Sequence, residues 1–298
     1  MIRKSLGILI IFSMFAIALA VAASAEQSAS QAKLSAAQIV DKNVAARGGL
    51  QAWRSVQSIS LTGKLSAGGN QRGTVAVPMR DPKSIAQSVP RRPAEEAQLP
   101  FVMELERPRK MRFELQFNGQ TAIQVYDGAN GWKLRPFLNR REVEPYTAEE
   151  MKIASTQADL DGPLVDYAAK GTRVELEGME KVESCDTYRL KLTMKDGHAF
   201  HVWIDAQTFL ETKVEGQPRR LDGTDHPVEV YYRDYRTVSG LHIPFLLETK
   251  VLPVAQTKLG RDVPVPTEKI VVDKVVVNPK LDEKLFSKPE VVVAQNTK

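Results

Sequence analysis

Few residues of this 298-residue chain are spaced for covalent chemistry. His198 and His201 lie in a stretch that reads as a strand, and an odd spacing there points side chains to opposite faces, a poor arrangement for a metal pair. His226 and His242 stand alone in the sequence. Asp159 with Asp161, and Glu149 with Glu150, read better as helix-start or solvated charges than as an acid/base pair. Cys185 is the single cysteine; it sits among Ser184, Asp186 and Thr187, where a turn is expected, with no activating base nearby. Tyr231, Tyr232 and Tyr235 read as strand aromatics. There is no Gly-rich phosphate loop. The expectation is a protein without catalysis, cofactor or metal, whose chemistry is non-covalent.

The residues that can do such chemistry are apolar. Met111, Phe113, Leu115 and Phe117 alternate with Arg112, Glu114, Gln116 and Asn118, the period of a strand with one dry and one wet face. Phe101, Met103 and Leu105 alternate in the same way before them, Ile123 and Val125 after, and Trp132 and Leu134 open a fourth run. Asn118-Gly119 and Asp127-Gly128 are turn signals. Residues 101–134 therefore read as an antiparallel meander with a continuous apolar face. Phe101, Met103, Met111, Phe113, Leu115, Phe117, Ile123, Val125, Trp132 and Leu134 are its candidate cavity lining. Burying a methylene yields roughly 0.8 kcal/mol, so an acyl chain of about sixteen carbons gains on the order of 10 kcal/mol before ordering costs. Met and Phe adapt to ligands of variable shape. An acid in place of Phe113 or Trp132 is expected to weaken such binding. The same residues also fit a filled core, because any half-buried sheet alternates. An empty space beside them distinguishes the two.

The surrounding elements are legible from caps and turns. Ser35 with Gln38 forms a capping box, and Ile39, Val40 and Val44 share the face of the helix that follows. Gly48-Gly49 interrupts it, and Leu50 and Trp53 resume the apolar pattern. Val56–Leu65 reads as the first strand. Residues 66–99, with four prolines and Gly68-Gly69, read as a long loop or disordered insertion. Thr147 with Glu150 caps a helix ending near Gln157, and a second short helix is expected at Leu164–Ala169. Strands are expected at Val174–Leu176, Tyr188–Met194, Phe200–Ile204, Phe209–Glu215, Val228–Thr237, Leu241–Val251 and Glu268–Val277, with a polar loop before Val228. The sum is a mainly β (α+β) fold of about ten or eleven antiparallel strands with a few helices, enough to cover one face of a curled sheet.

The first 25 residues read as an export signal: Arg3 and Lys4, an apolar run, then Ala23-Ser24-Ala25 as a cleavage site. A retained membrane anchor is the alternative. No cysteine follows the run for lipid attachment. The expected location is the periplasm, with cleavage after Ala25, a flexible tail at 26–34, one domain at 35–288 and a loose tail at 289–298. The net charge of +5 falls by two once Arg3 and Lys4 leave, and the remaining excess is scattered. It points to no nucleic acid partner; basic spots at 107–112, 135–141 and 219–220 read as solvated strand ends or as a headgroup-contacting rim.

Several stretches together resemble the outer-membrane lipoprotein-sorting protein family, the LolA/LolB-like carriers. They are Ile39-Val40 through Ala46-Arg47-Gly48-Gly49 with Trp53, the run Arg107 to Glu114, Val125-Tyr126-Asp127-Gly128 with Gly131-Trp132, the mid-chain helix pair, and His201-Val202-Trp203-Ile204-Asp205. The resemblance is one of pattern and order over roughly residues 35–286. It implies an unclosed antiparallel β-barrel with helices as a lid over an apolar cavity. It further implies a periplasmic carrier of lipoprotein acyl chains or other lipids, served by membrane-bound donor and acceptor proteins. Ile39, Val40, Val44, Leu50 and Trp53 are then lid residues, and Arg47 is a candidate for the family's lid-latching arginine. The chain departs from the short carriers in its length, its 66–99 excursion and its extra C-terminal strands, which leaves the client open. The alternative on the same fold is an envelope sensor or regulatory protein-binding module.

Overall fold

A computed structural model of the chain describes residues 34–67, 97–136, 140–221, 223–254 and 267–290. The export signal, the 26–34 tail up to residue 33, residues 68–96 of the excursion and residues 291–298 of the last tail lie outside the described residues.

Among the described residues, 13 strands make one antiparallel sheet. In chain order they are β1 (Ser58–Ala67), β2 (Ala97–Glu106), β3 (Lys110–Phe117), β4 (Gln120–Tyr126), β5 (Gly131–Arg135) and β6 (Arg140–Pro145). After a helix come β7 (Arg173–Val182), β8 (Cys185–Thr193), β9 (Ala199–Asp205), β10 (Glu211–Leu221), β11 (Thr224–Val238), β12 (Leu241–Val251) and β13 (Glu268–Val277). The order across the sheet is β6-β5-β4-β3-β2-β1-β13-β12-β11-β10-β9-β8-β7. Consecutive strands pair throughout except β6 and β7, and at the centre β1 meets β13 and joins the two meanders. β6 and β7 are left at the edges, so the barrel is not closed. A twisted sheet this wide curls, and its concave side needs cover.

The helices supply it. Helix α1 (Ala36–Ala46) starts at the capping box: Ser35 Oγ accepts from the Gln38 N–H and Gln38 Oε1 from the Ser35 N–H, at 3.2 and 2.9 Å. Its buried stripe is Ile39, Val40, Asn43 and Val44. The Asn43 amide donates to the Phe209 carbonyl at 2.8 Å. Gly48, at φ +116, turns the chain into α2 (Leu50–Ser55); a Cβ there would strike the Gly240 carbonyl in the β11–β12 turn, so only glycine lets the helix dock this closely. Helix α3 (Ala148–Gln157) has its own capping box and lies over β4. Gly131 in β5 lies under the Tyr146 ring, which occupies the space where a Cβ would stand. Gly131→Ala is expected to cost about 2 kcal/mol through overpacking, read as a lower urea midpoint at unchanged m-value. No described helix is long and apolar enough to cross a membrane.

Several expectations need correction. The sheet has 13 strands rather than ten or eleven. β2 begins at Ala97, inside the stretch read as loop, and β7 is ten residues long. The polar loop expected before Val228 is a long β10–β11 hairpin; Pro218 sits at its bulge, between Gly216 and Arg219, where no ladder donor is needed. Leu164–Ala169 is no helix but a run of turns with Leu164 and Val165 buried, because Asp166 takes φ +52.

Candidate functional site

The concave face is built from aligned side-chain rows, since directly opposed residues in an antiparallel sheet point the same way. The first row is Met111–Leu105–Ile59–Val277; Met111, Leu105 and Ile59 are buried, Met111 at 2 % exposed. The next is Phe113–Met103–Leu61–Val275. The third is Leu115–Phe101–Gly63–Val272, with the Phe101 and Phe113 rings stacked at 5.9 Å. The outermost row, Leu99–Leu65–Ile270–Leu247–Tyr232, crosses five strands, and all its members are half-buried. Rows two residues apart are about 7 Å apart, so the trough runs about 20 Å from end to end. At the outer strand ends Phe117 is 37 % exposed, and a cavity of about 600 Å³ is lined by Leu99, Pro100, Phe117 and Gln120 among others.

The structure thus brings together Phe101, Met103, Met111, Phe113 and Leu115, with Phe117 at the open end. It does not bring Ile123, Val125, Trp132 and Leu134 to them. The two-residue turn at Asn118-Gly119 pairs odd-numbered residues of β3 with even-numbered residues of β4, so Phe113 faces Gln124 while Val125 faces Arg112. Val125 in turn pairs with Trp132, and Ile123 with Leu134. These four belong to the convex side. There Arg112 donates to the Leu285 carbonyl at 2.9 Å, in the 3-10 turn Glu283–Phe286, and Phe286 is buried. Sequence reasoning missed Leu61, Leu65, Ile270, Leu247 and Tyr232. Their alternation was visible; their meeting depends on the β1–β13 pairing, which no local pattern reports.

Ile39, Val40, Val44 and Trp53 are buried in one core cluster with Met111, Leu105 and Ile59 of the first row, and Leu50 is partly buried against that cluster; α1 itself contacts β7. The inner row of the trough is therefore part of a filled core shared with the helices, and the outer end is open.

Charges hold the lid down. Arg107, in the β2–β3 turn, donates from Nε to the Val56 carbonyl at 2.7 Å. Its Nη2 donates to the Trp53 carbonyl at 3.1 Å and to Asp161 Oδ2 at 2.6 Å. Lys170 Nζ donates to Asp161 Oδ1 at 2.6 Å, to the Gly162 carbonyl at 2.7 Å and to the Asp159 carboxylate at 2.8 Å. Arg47 Nη1 donates to the Asp161 carbonyl at 3.1 Å, lies 3.4 Å from Glu211 on β10, and its guanidinium covers the Trp53 ring at 4.4 Å. Burial alone would raise the Asp161 carboxyl, but its hydrogen bonds to Lys170 and Arg107 outweigh that and hold it at about 2. Burial raises Asp159 above the usual carboxylate range, and the Asp161 charge adds to this against the pull of Lys170.

The single cysteine, Cys185, is exposed at the start of β8. His201 contacts Glu215 and Glu177 at 2.6 and 3.2 Å, and His226 Nδ1 lies 3.1 Å from the Leu252 carbonyl.

No protein-family model and no curated protein matches the chain. Solved structures do. A LolA superfamily protein from Nitrosomonas europaea is similar over 86 % of this chain and 99 % of its own, at 14 % identity and a TM-score of 0.50. A structure described as an outer membrane lipoprotein-sorting protein domain, from Vibrio parahaemolyticus, is similar over 85 % and 96 %, at 12 % identity and 0.50. A DUF1329 family protein from Desulfovibrio piger is similar over 86 % and 98 %, at 11 % identity and 0.50. The chain thus shares the fold of LolA superfamily proteins, an unclosed antiparallel barrel with helices across its apolar concave face.

Proposed function

We propose that the protein is a periplasmic carrier that takes up lipoprotein acyl chains or other lipids on its concave face. It would pass them from a membrane-bound donor to a membrane-bound acceptor, with no covalent step. Residues 1–25 serve as the export signal in this reading, removed after Ala25. One observation carries it above all. The row Leu99–Leu65–Ile270–Leu247–Tyr232 leaves apolar side chains only partly buried on the concave side of the sheet, where a sealed core would have buried them fully.

A chain laid along the rows gains roughly 0.8 kcal/mol per methylene. Release then needs a substitute for those contacts. In this reading Ile39, Val40 and Val44 on α1, which share one core cluster with Met111, Leu105 and Ile59, exchange with the ligand for core contacts. A lid pinned by ion pairs and carbonyl contacts, over an apolar underside, separates the force that closes it from the surface that binds.

The test is uptake of a fluorescent acyl probe by the purified mature protein. Saturable one-to-one binding, displaced by long-chain lipid, is the expected result. Absence of uptake, with no copurifying lipid occupying the site, overturns the reading.

A further inference from the structure

Beside the trough, under α3, lies a small cavity of about 100 Å³. Its floor is Gln124 on β4 with Lys133 and Arg135 on β5; Gln124 and Lys133 are cross-strand partners, and Gln124 also pairs with Phe113 of the trough. The roof is α3, through Glu150, Ile153 and Gln157, and Tyr146 closes one side. The cavity therefore continues the concave face from its apolar rows into a polar recess.

Its hydrogen bonding is incomplete in one sense only. Lys133 is bound by Glu150 at 2.5 Å and Arg135 Nη2 by Glu144 at 2.8 Å. Arg135 Nε and Tyr146 Oη are buried and have no partner among the described residues. A buried polar group without a partner costs about 1–3 kcal/mol, and both of these can donate a hydrogen bond. Burial, with the Glu150 charge nearby, pushes the Tyr146 hydroxyl up to about 12, so it keeps its proton. Lys133, Arg135 and Arg140 stand against Glu144 and Glu150, which leaves one cation in excess among these paired groups. The space suits a compact oxyanion and excludes a sugar or a second chain.

We propose that this recess is a head-group subsite for a single-chain anionic amphiphile, a carboxylate or phosphate monoester received by Arg135 Nε and Tyr146 Oη while its chain lies along Phe113 and Met103. This rests on the carrier reading and narrows its ligand class. Fatty-acid-like or lysophospholipid-like clients then bind in a fixed polarity, head under α3 and tail on the sheet.

The experiment displaces a fluorescent acyl probe with dodecanoate, dodecyl phosphate, methyl dodecanoate or inorganic phosphate, for the mature protein and for Tyr146→Phe and Arg135→Lys. Tyr146→Phe keeps the ring over Gly131 and removes no hydrogen bond made by the free protein, so its melting temperature is expected not to fall. The anionic amphiphiles are expected to bind about tenfold tighter than the methyl ester, the value of one charge-assisted hydrogen bond. Each variant should lose that preference while ester binding holds. Equal binding of acid and ester, or a preference that survives both variants, overturns the subsite and leaves the carrier reading standing. No displacement by any amphiphile overturns both. Displacement by inorganic phosphate as strong as by the amphiphiles assigns the recess to a free ion and overturns the lipid-head proposal.

Discussion

Asp161→Ala is expected to lower the unfolding free energy by about 3 kcal/mol, the cost of removing one member of a buried ion-paired cluster. Asp161 is 2 % exposed and is the one carboxylate that both Arg107 and Lys170 share. Alanine leaves Arg107 with the Val56 and Trp53 carbonyls, and Lys170 with Asp159 and Gly162, so neither cation is stranded; this keeps the loss at the lower end of the usual range. Urea unfolding at neutral pH measures it, and a loss under about 1 kcal/mol would reduce the cluster to a surface ion pair.

The same carboxylate makes an acid-dependent prediction. Its folded pKa, about 2, lies below the unfolded value near 3.9, so its contribution is complete above about pH 5 and is lost progressively as the pH falls through 2. Asp159 is raised and acts in the opposite sense, returning part of the loss on protonation. Between pH 4 and pH 2.5 the wild type should therefore lose stability, with the Asp161 part about 1.4 kcal/mol. Asp161→Asn should show a flatter slope over that window. Equal slopes would remove Asp161 as the acid-sensitive group.

Much of the architecture was legible because it is local. The Ser35–Gln38 and Thr147–Glu150 boxes form as their spacing predicts, and the 101–134 meander has its turns at Asn118-Gly119 and Asp127-Gly128. The errors at the trough share another origin: each depended on a partner far away in the chain or on the parity of a turn. Ile123 and Val125 look like continuations of the Phe113 face by alternation alone, yet a two-residue turn moves them to the other side. The polar stretch before Val228 read as loop, yet it pairs as the β10–β11 hairpin, with Pro218 and Pro227 at its bulge, where no ladder donor is needed. The outer row of the trough needed β1 and β13, more than 200 residues apart, to be known as neighbours.

That parity separates two substitutions that the sequence treats alike. Phe113→Glu places a carboxylate in the second row, opposite Met103 and beside Leu115 and Phe101, where a bound acyl chain would have to desolvate it. Probe affinity is expected to fall by at least about tenfold, equivalent to about 1.4 kcal/mol, and more if the charge stays unpaired. Trp132→Asp acts on the convex side, where Trp132 pairs with Val125 and Pro145. It should destabilise the fold by about 3 kcal/mol through lost packing yet leave affinity per folded molecule unchanged. Binding titrations corrected for the folded fraction by circular dichroism distinguish the two. If Trp132→Asp weakens binding as much as Phe113→Glu, the ligand does not lie on the face that α1 covers. If neither weakens it, the trough is a core and the lipid, if any, binds elsewhere. A tenfold loss confined to Phe113→Glu places the acyl chain on the rows beneath the lid, because the two residues differ in face far more than in chemistry.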